Sequence, residues 1–122
     1  MKRKTFCFDL DNTICITRGR QYSRSKPIKD AIILINKLYS KGHCIKIFTS
    51  RYMGRNNDNI NKANKQGYKF TYKQLKSWGL KFHKLHMGKP SYDFLVDDRS
   101  IGFKKNWPSH LRKILRKNEH RF

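Results

Sequence analysis

The chain has 122 residues and is strongly basic, because 29 Lys and Arg against 8 Asp and Glu give a formal charge of +21. With 37% hydrophobic residues it is expected to form one domain, residues 1–122, around a modest core. No apolar run is long enough for a membrane span, and no secretory signal is evident at the N-terminus. Composition therefore argues against a membrane protein and favours a cytoplasmic one.

The three cysteines, Cys7, Cys15 and Cys44, are odd in number and form no CxxC pair. Cys7 and Cys44 lie in apolar runs typical of strands. We therefore expect buried thiols without disulfides, as in a reducing cytosol.

The charge has two interpretations that the sequence leaves open. It would attract phosphates or nucleic acid, or it reflects the Lys, Asn and Ile usage of an AT-rich genome. Aromatic residues between the lysines, such as Tyr68 and Tyr72, could stack on bases, although such residues more often belong to the core.

The first half of the chain alternates strands and helices. A strand is predicted over residues 4–9, followed by a loop over residues 11–26. Pro27 suits the first turn of a helix that continues at apolar spacing towards Gly42, where it ends. A second strand is predicted over residues 43–48.

The second half continues the alternation less distinctly. Residues 54–64 are polar and form either a surface loop or a weak helix, and a clearer helix covers about residues 68–78. Strands are predicted at residues 81–86 and 93–96, and a final basic helix at residues 109–117.

This order predicts a three-layer, Rossmann-like α/β domain with a central parallel sheet joined by right-handed crossovers. Ligands in such domains bind beyond the carboxyl ends of the strands. Asp9, Thr49 and Asp97 each fall at such an end, so we expect them along one rim.

Four of the eight acidic residues stand in two pairs at these strand ends: Asp9 with Asp11, and Asp97 with Asp98. Carboxylates gathered on one rim repel each other unless a cation lies between them. Because all the candidate ligands are oxygens, the expected cation is a hard one such as Mg²⁺.

The same residues suit phosphoryl transfer. The Asp9 carboxylate can attack phosphorus while Asp11 exchanges a proton with the leaving group or water. Thr49 offers a hydroxyl and Lys89 a positive charge to the phosphoryl oxygens, and Mg²⁺ would offset the remaining repulsion.

Four ordered motifs carry a family resemblance: Asp9-x-Asp11-x-Thr13, then Thr49, then Lys89, then Asp97-Asp98. Over residues 5–98 this pattern resembles the haloacid dehalogenase (HAD) superfamily. The resemblance implies a HAD-like fold and phosphatase activity, since dehalogenases lack the second aspartate.

The resemblance also implies roles for single residues. Asp9 is the nucleophile, Asp11 the general acid and base, and Thr49 and Lys89 hold the phosphoryl group. Mg²⁺ would be bound by Asp9, the main-chain carbonyl of Asp11, and Asp97, with Asp98 direct or through water.

Three residues beside the motifs are assigned to substrate binding: Asn12, Ser50 and Arg51. Asn12 stands where glycine is commoner in the family. Either Thr49 or Ser50 could face the phosphate, and the alternation along the strand favours Thr49. For Arg51, contact with the substrate and pairing with Asp93 or Asp98 are equally open.

The inserts between the motifs are too short for a cap domain, so the site is expected to be open or covered by a neighbour in a homo-oligomer. The pairs Thr49-Ser50 and Asp97-Asp98, each followed by Arg, look most like bacterial capsule polysaccharide biosynthesis phosphatases, which implies a sugar phosphate substrate. The alternatives are a polynucleotide 5′/3′-end phosphatase and a non-catalytic basic module that binds nucleic acid.

Overall fold

The computed structural model describes residues 2–120, with side chains described up to residue 117. It groups them into two compact units, residues 3–91 and a second unit of Lys2 with residues 92–120. The elements are β1 (Thr5–Asp9), β2 (Cys15–Ile16), β3 (Lys26–Pro27), α1 (Lys29–Ser40), β4 (Cys44–Thr49), α2 (Ile60–Ser77), β5 (Lys84–Met87) and α3 (Trp107–His120). The chain is thus an α/β protein. No helix of the described part combines the length and apolarity that a bilayer crossing needs.

The main sheet lies in residues 3–91 and is parallel, with strand order β1-β4-β5. Its register pairs Asp9 with Phe48 and Thr49 with Met87, so the strands end together at one edge. Parallel pairing and the strand ends at Asp9 and Thr49 confirm what the sequence predicts for this part of the sheet.

One face of the sheet carries the core. Side chains alternate along β4, where Ile45, Ile47 and Thr49 are buried and the residues between them are half-buried. Because the strand order follows the chain, the right-handed crossovers that parallel strands usually have would put α1 and α2 on the same face. The three-layer arrangement stays a prediction.

Helix α1 follows the predicted apolar spacing but begins later than Pro27. Its buried residues are Ala31, Ile32, Leu34, Ile35 and Leu38. Pro27 instead lies in β3, where it pairs with Cys15 of β2. Proline fits this short antiparallel pair because a two-residue edge strand does not need every N–H.

Helix α2 begins at Ile60, well before the predicted start near residue 68. The Asn59 side chain caps it by accepting the Lys62 N–H at 3.0 Å. Its inner side consists largely of small residues, Ala63, Gly67 and Thr71. Of the two alternatives for residues 54–64, the helix is therefore correct from Ile60 on. Apolar periodicity did not separate this part from a loop, because its buried residues are small and pack closely without being strongly hydrophobic.

Residues 93–96, predicted as the fourth strand, are not a strand in the structure. Phe94 and Val96 are 91% and 97% exposed. The prediction was wrong because apolar β propensity reflects packing against a neighbouring strand, and these residues have no ladder partner. Helix α3 is confirmed near its predicted place, with Pro108 in its first turn.

The cysteines are free, as expected, but only Cys15 is buried. Cys7 is exposed and Cys44 half-buried, because both lie on the sheet face opposite the core. The expectation that both strand thiols are buried was therefore wrong.

Candidate active site at the carboxyl edge of the sheet

Three strands deliver the candidate site to one edge. Asp9 ends β1, Thr49 ends β4, and Lys89 follows β5 by two residues. The Lys89 Nζ lies 3.3 Å from Asp9 Oδ1, and the Lys89 N–H donates to the Thr49 carbonyl at 3.1 Å. Residues 80 positions apart in sequence thus meet as an ion pair, and its Asp9 carboxylate is 37% exposed.

Gly88 lies in the turn that brings Lys89 to this edge. It has φ of +103°, and a Cβ there would meet Ile60 at 3.1 Å. The backbone angle favours glycine, and a Cβ would also force the Ile60 side chain to shift. The turn that brings Lys89 to Asp9 therefore depends on a residue without a side chain.

The loop after β1 turns sharply at Asn12, which has φ of +62°. Asparagine is one of the few residues that adopts this conformation readily, so it can replace glycine here. Its side-chain oxygen accepts the Thr17 N–H at 3.1 Å. The Thr13 hydroxyl donates to Asp9 Oδ2 at 3.4 Å. The structure thus gives Asn12 a place in the turn, and its contact with a substrate stays a prediction.

Arg51 is paired with Asp11. Its Nε donates to Asp11 Oδ2 at 2.9 Å and its Nη2 to Oδ1 at 2.8 Å. The Arg51 side chain is 0% exposed and that of Asp11 22%. Arg51 is therefore paired with Asp11, and the expected pairing with Asp93 or Asp98 was wrong.

Further polar groups surround this ion pair. Arg51 Nη1 donates to Gln74 Oε1 at 2.7 Å, and Nη2 donates to Ser25 Oγ at 3.3 Å. The guanidinium also lies over the Tyr22 ring, 4.7 Å from its centroid. The Thr17 hydroxyl donates to Asp11 Oδ1 at 2.6 Å.

Sequence reasoning did not identify Thr17, Tyr22, Ser25 or Gln74. The first three lie in a segment without periodicity. Gln74 did leave a signal, because it falls three residues after Thr71 and seven after Gly67, on the buried side of α2. A polar residue on that side of a helix indicates a buried partner.

Cys15 also borders Asp11. Burial raises the pKa of its thiol, so it stays protonated at neutral pH. The thiol lies 3.6 Å from Asp11 Oδ1 and can donate to it weakly.

Thr49 continues the buried alternation of β4, as the sequence predicts, while Ser50 is half-buried. The Thr49 hydroxyl accepts the Arg51 N–H at 3.1 Å and retains its own proton for donation. Which of the two hydroxyls would bind phosphate stays a prediction.

Asp97 and Asp98 belong to the second unit, where they lie in an exposed turn. Asp97 Oδ1 accepts the Arg99 N–H at 3.0 Å, and the Ser100 hydroxyl donates to the Asp97 carbonyl at 3.1 Å. Their role as metal ligands stays a prediction.

The oxygens of this site suit a hard cation such as Mg²⁺. The Asp9 carboxylate is accessible, but that of Asp11 is taken up by Arg51 and Thr17, which leaves its main-chain carbonyl as the possible ligand. Within residues 3–91, no three His, Cys, Asp or Glu side chains are grouped to hold a metal.

No protein-family model matches the chain, and no curated protein matches it. The crystal structure of an MCSG target from Vibrio cholerae is similar, with a TM-score of 0.79 and 22% identity. The match covers 94% of this chain and 98% of that one. At this identity the similarity concerns the fold alone, and it agrees with an α/β architecture.

Proposed function

We propose that this chain is a Mg²⁺-dependent phosphomonoester hydrolase of the HAD superfamily, capless in architecture, with a sugar phosphate as substrate. The observation that carries the proposal is the meeting of Asp9 and Lys89 at 3.3 Å on the edge where Thr49 also ends its strand. A half-exposed carboxylate beside a lysine suits a nucleophile that must approach an anionic phosphate.

The reaction begins with the Asp9 carboxylate. One of its oxygens attacks phosphorus, the bond from phosphorus to the ester oxygen breaks, and that oxygen takes a proton from Asp11. Water then attacks the phosphorus of the aspartyl phosphate and gives a proton back to Asp11. This hydrolysis releases phosphate and restores the Asp9 carboxylate.

The neighbouring residues prepare Asp9 for this step. Lys89 and the Thr13 hydroxyl each engage a different oxygen of the carboxylate, so its orientation is fixed before substrate arrives. Lys89 can then also neutralise charge on the phosphoryl oxygens. Mg²⁺, when bound by Asp9, the Asp11 carbonyl, Asp97 and Asp98, would supply further charge neutralisation.

The direct test replaces the nucleophile. Asp9→Asn is expected to lower kcat on p-nitrophenyl phosphate and on a panel of sugar phosphates by about 1,000-fold or more, because no other group can form the acyl phosphate. Phosphate release is measured with and without Mg²⁺.

Asp30→Asn is the matched control, since it makes the same change in the first turn of α1. It is expected to leave turnover unchanged. Full turnover by a folded Asp9→Asn variant, or turnover by the wild type that does not respond to Mg²⁺, would contradict the proposal.

A second candidate keeps the chemistry but takes a phosphorylated oligonucleotide end as substrate. The observation that favours it is the lysine face of α2, which consists of five exposed residues: Lys62, Lys65, Lys69, Lys73 and Lys76. Their spacing of three or four residues puts them on one side of the helix, and α2 contains no acidic residue. Neighbouring like charges destabilise a helix, and an anionic partner would relieve this cost.

Exposed aromatic rings border the lysine face of α2. Tyr68 and Tyr72 stack with ring centroids 6.0 Å apart, and Lys76 lies 5.4 Å from the Tyr72 centroid. Rings and lysines in this arrangement are typical of surfaces that bind single-stranded nucleic acid.

A further inference from the structure

Arg51 differs from the other cations near the site because its charge is completely enclosed. Its side chain is 0% exposed, whereas the Lys89 side chain beside Asp9 is 13% exposed. An arginine that contacts a substrate must present donors to the cleft. The Arg51 guanidinium instead directs its donors to groups of the chain itself.

The hydrogen bonds to Asp11 are uneven. Oδ1 accepts from Arg51 Nη2 at 2.8 Å and from the Thr17 hydroxyl at 2.6 Å, while Oδ2 accepts from Arg51 Nε at 2.9 Å. One oxygen is therefore anchored on two sides, and Oδ2 is the atom that can exchange a proton with the fewest bonds disturbed.

The Arg51 guanidinium is itself held by residues other than Asp11. Gln74 of α2 accepts from Nη1 at 2.7 Å and donates its own amide to the Tyr22 carbonyl at 2.7 Å. The Tyr22 ring covers the guanidinium at 4.7 Å. Removing two charges from water is costly, and a buried ion pair is weak evidence for a role in stability alone.

We propose that Arg51 is a positioning residue that acts through Asp11 and does not contact the substrate. When the leaving oxygen takes the proton from Asp11 Oδ2, a carboxylate is formed, and the charge of Arg51 stabilises that carboxylate where it forms. Arg51 and Thr17 also hold the Asp11 carboxyl group in place and keep it from turning to solvent. This inference rests on the proposed phosphatase activity.

Leaving-group dependence tests the inference. An alkyl alkoxide leaving from a sugar phosphate needs a proton, whereas p-nitrophenolate leaves readily without one. Arg51→Met is therefore expected to lower kcat on a sugar phosphate by about 100-fold and on p-nitrophenyl phosphate by less than about tenfold, with KM little changed. Asp11→Asn is expected to show the same asymmetry.

The double variant Asp11→Asn/Arg51→Met completes a cycle. If Arg51 acts only through Asp11, the double variant is no slower on the sugar phosphate than Asp11→Asn alone, because residues that act as a unit are not additive. Arg51→Lys keeps the charge but loses the two-point contact, so its kcat on the sugar phosphate is expected to lie between those of the wild type and Arg51→Met.

Arg55→Met is the matched control, because Arg55 also lies over a tyrosine ring, 4.6 Å from the centroid of Tyr52. It is expected to show no dependence on the leaving group. If thermal unfolding shows that Arg51→Met does not fold, Gln74→Met and Thr17→Val provide the same comparison, since each removes one partner of the Arg51–Asp11 pair.

The outcomes separate the two proposals. Equal losses on both esters, or a rise in KM on both, would overturn the positioning role of Arg51 and favour direct contact with the substrate. If the wild type turns over neither the sugar phosphate nor p-nitrophenyl phosphate, the proposed function is overturned, and the inference with it.

Discussion

At the scale of single residues, two carboxylates two positions apart are held in different ways. Asp9 faces Lys89 across a partly open edge, and Asp11 faces a buried Arg51. A nucleophile needs access to phosphorus, whereas a proton donor needs a fixed position. The difference in their surroundings therefore matches the different roles proposed for the two residues.

His43 is a buried histidine whose protonation opposes folding. Its Nδ1 accepts the Lys4 N–H at 3.0 Å, and this requires a neutral ring. Burial, and then the charges of Lys41 and Lys4, lower the pKa of His43 below its ordinary value of 6.5. The native state therefore takes up a proton less readily than the unfolded state.

This difference predicts how stability depends on pH. Above the unfolded pKa neither state binds the proton, so His43 has no effect; as the pH falls below it, only the unfolded state gains the proton and the free energy of unfolding decreases. Urea denaturation at about pH 7.5 and about pH 5.5 measures this decrease.

The control is His43→Asn, whose side-chain oxygen can still accept from Lys4 but does not titrate. Its free energy of unfolding is expected to fall less than that of the wild type over the same range. Equal decreases in the two proteins would contradict this account of His43.

At the scale of the elements, α2 packs through a glycine. Tyr52, which has φ of +67°, lies against Gly67, and a Cβ at position 67 would fall 2.2 Å from its ring. The Tyr52 ring also contacts Tyr22, 5.1 Å between centroids, which in turn covers Arg51. The close packing of α2 against Tyr52 therefore supports Arg51, the side chain that is paired with Asp11.

Gly67→Ala is therefore expected to destabilise the protein, although alanine has a higher helix propensity than glycine. Alanine would favour an α-helix by about 1 kcal/mol, but overpacking against Tyr52 costs about 1–3 kcal/mol. Urea denaturation measures the net change. Asn64→Ala, at an exposed position of the same helix, is expected to be neutral or stabilising; a Gly67→Ala variant that gained as much stability would contradict the packing described.

At the scale of the whole molecule, the charge of +21 bears on the choice between the two proposed substrate classes. If the lysine face of α2 binds a nucleic-acid strand, Lys65→Gln/Lys69→Gln/Lys73→Gln should weaken turnover of a phosphorylated oligonucleotide and leave sugar phosphate turnover unchanged. Each phosphate contact that is lost should reduce the slope of the logarithm of the binding constant against the logarithm of salt concentration by about 0.7.

A triple variant of α1 and the residue after it, Lys29→Gln/Lys37→Gln/Lys41→Gln, changes the net charge equally. These lysines are exposed and lie outside the lysine face of α2. If both triple variants weaken oligonucleotide turnover alike, the effect belongs to net charge and the α2 surface has no special role.

The sequence alone determined which residues end the first strands and in what order. Short apolar runs before Asp9 and Thr49 are local signals, and the parallel sheet carries both residues to the edge where Lys89 also lies. Local pattern also located α1, because its apolar residues recur at helical spacing.

The tertiary structure alone decided the rest. Nothing near Arg51 in sequence indicates that its partner is Asp11, because 40 residues separate them and their pairing depends on the register of neighbouring strands. The early start of α2 depends on close packing at Gly67, and the strand predicted at residues 93–96 needed a partner that these residues do not have in the structure. Periodicity records which side of an element is apolar, whereas ion pairs, close contacts and strand pairing depend on what lies opposite.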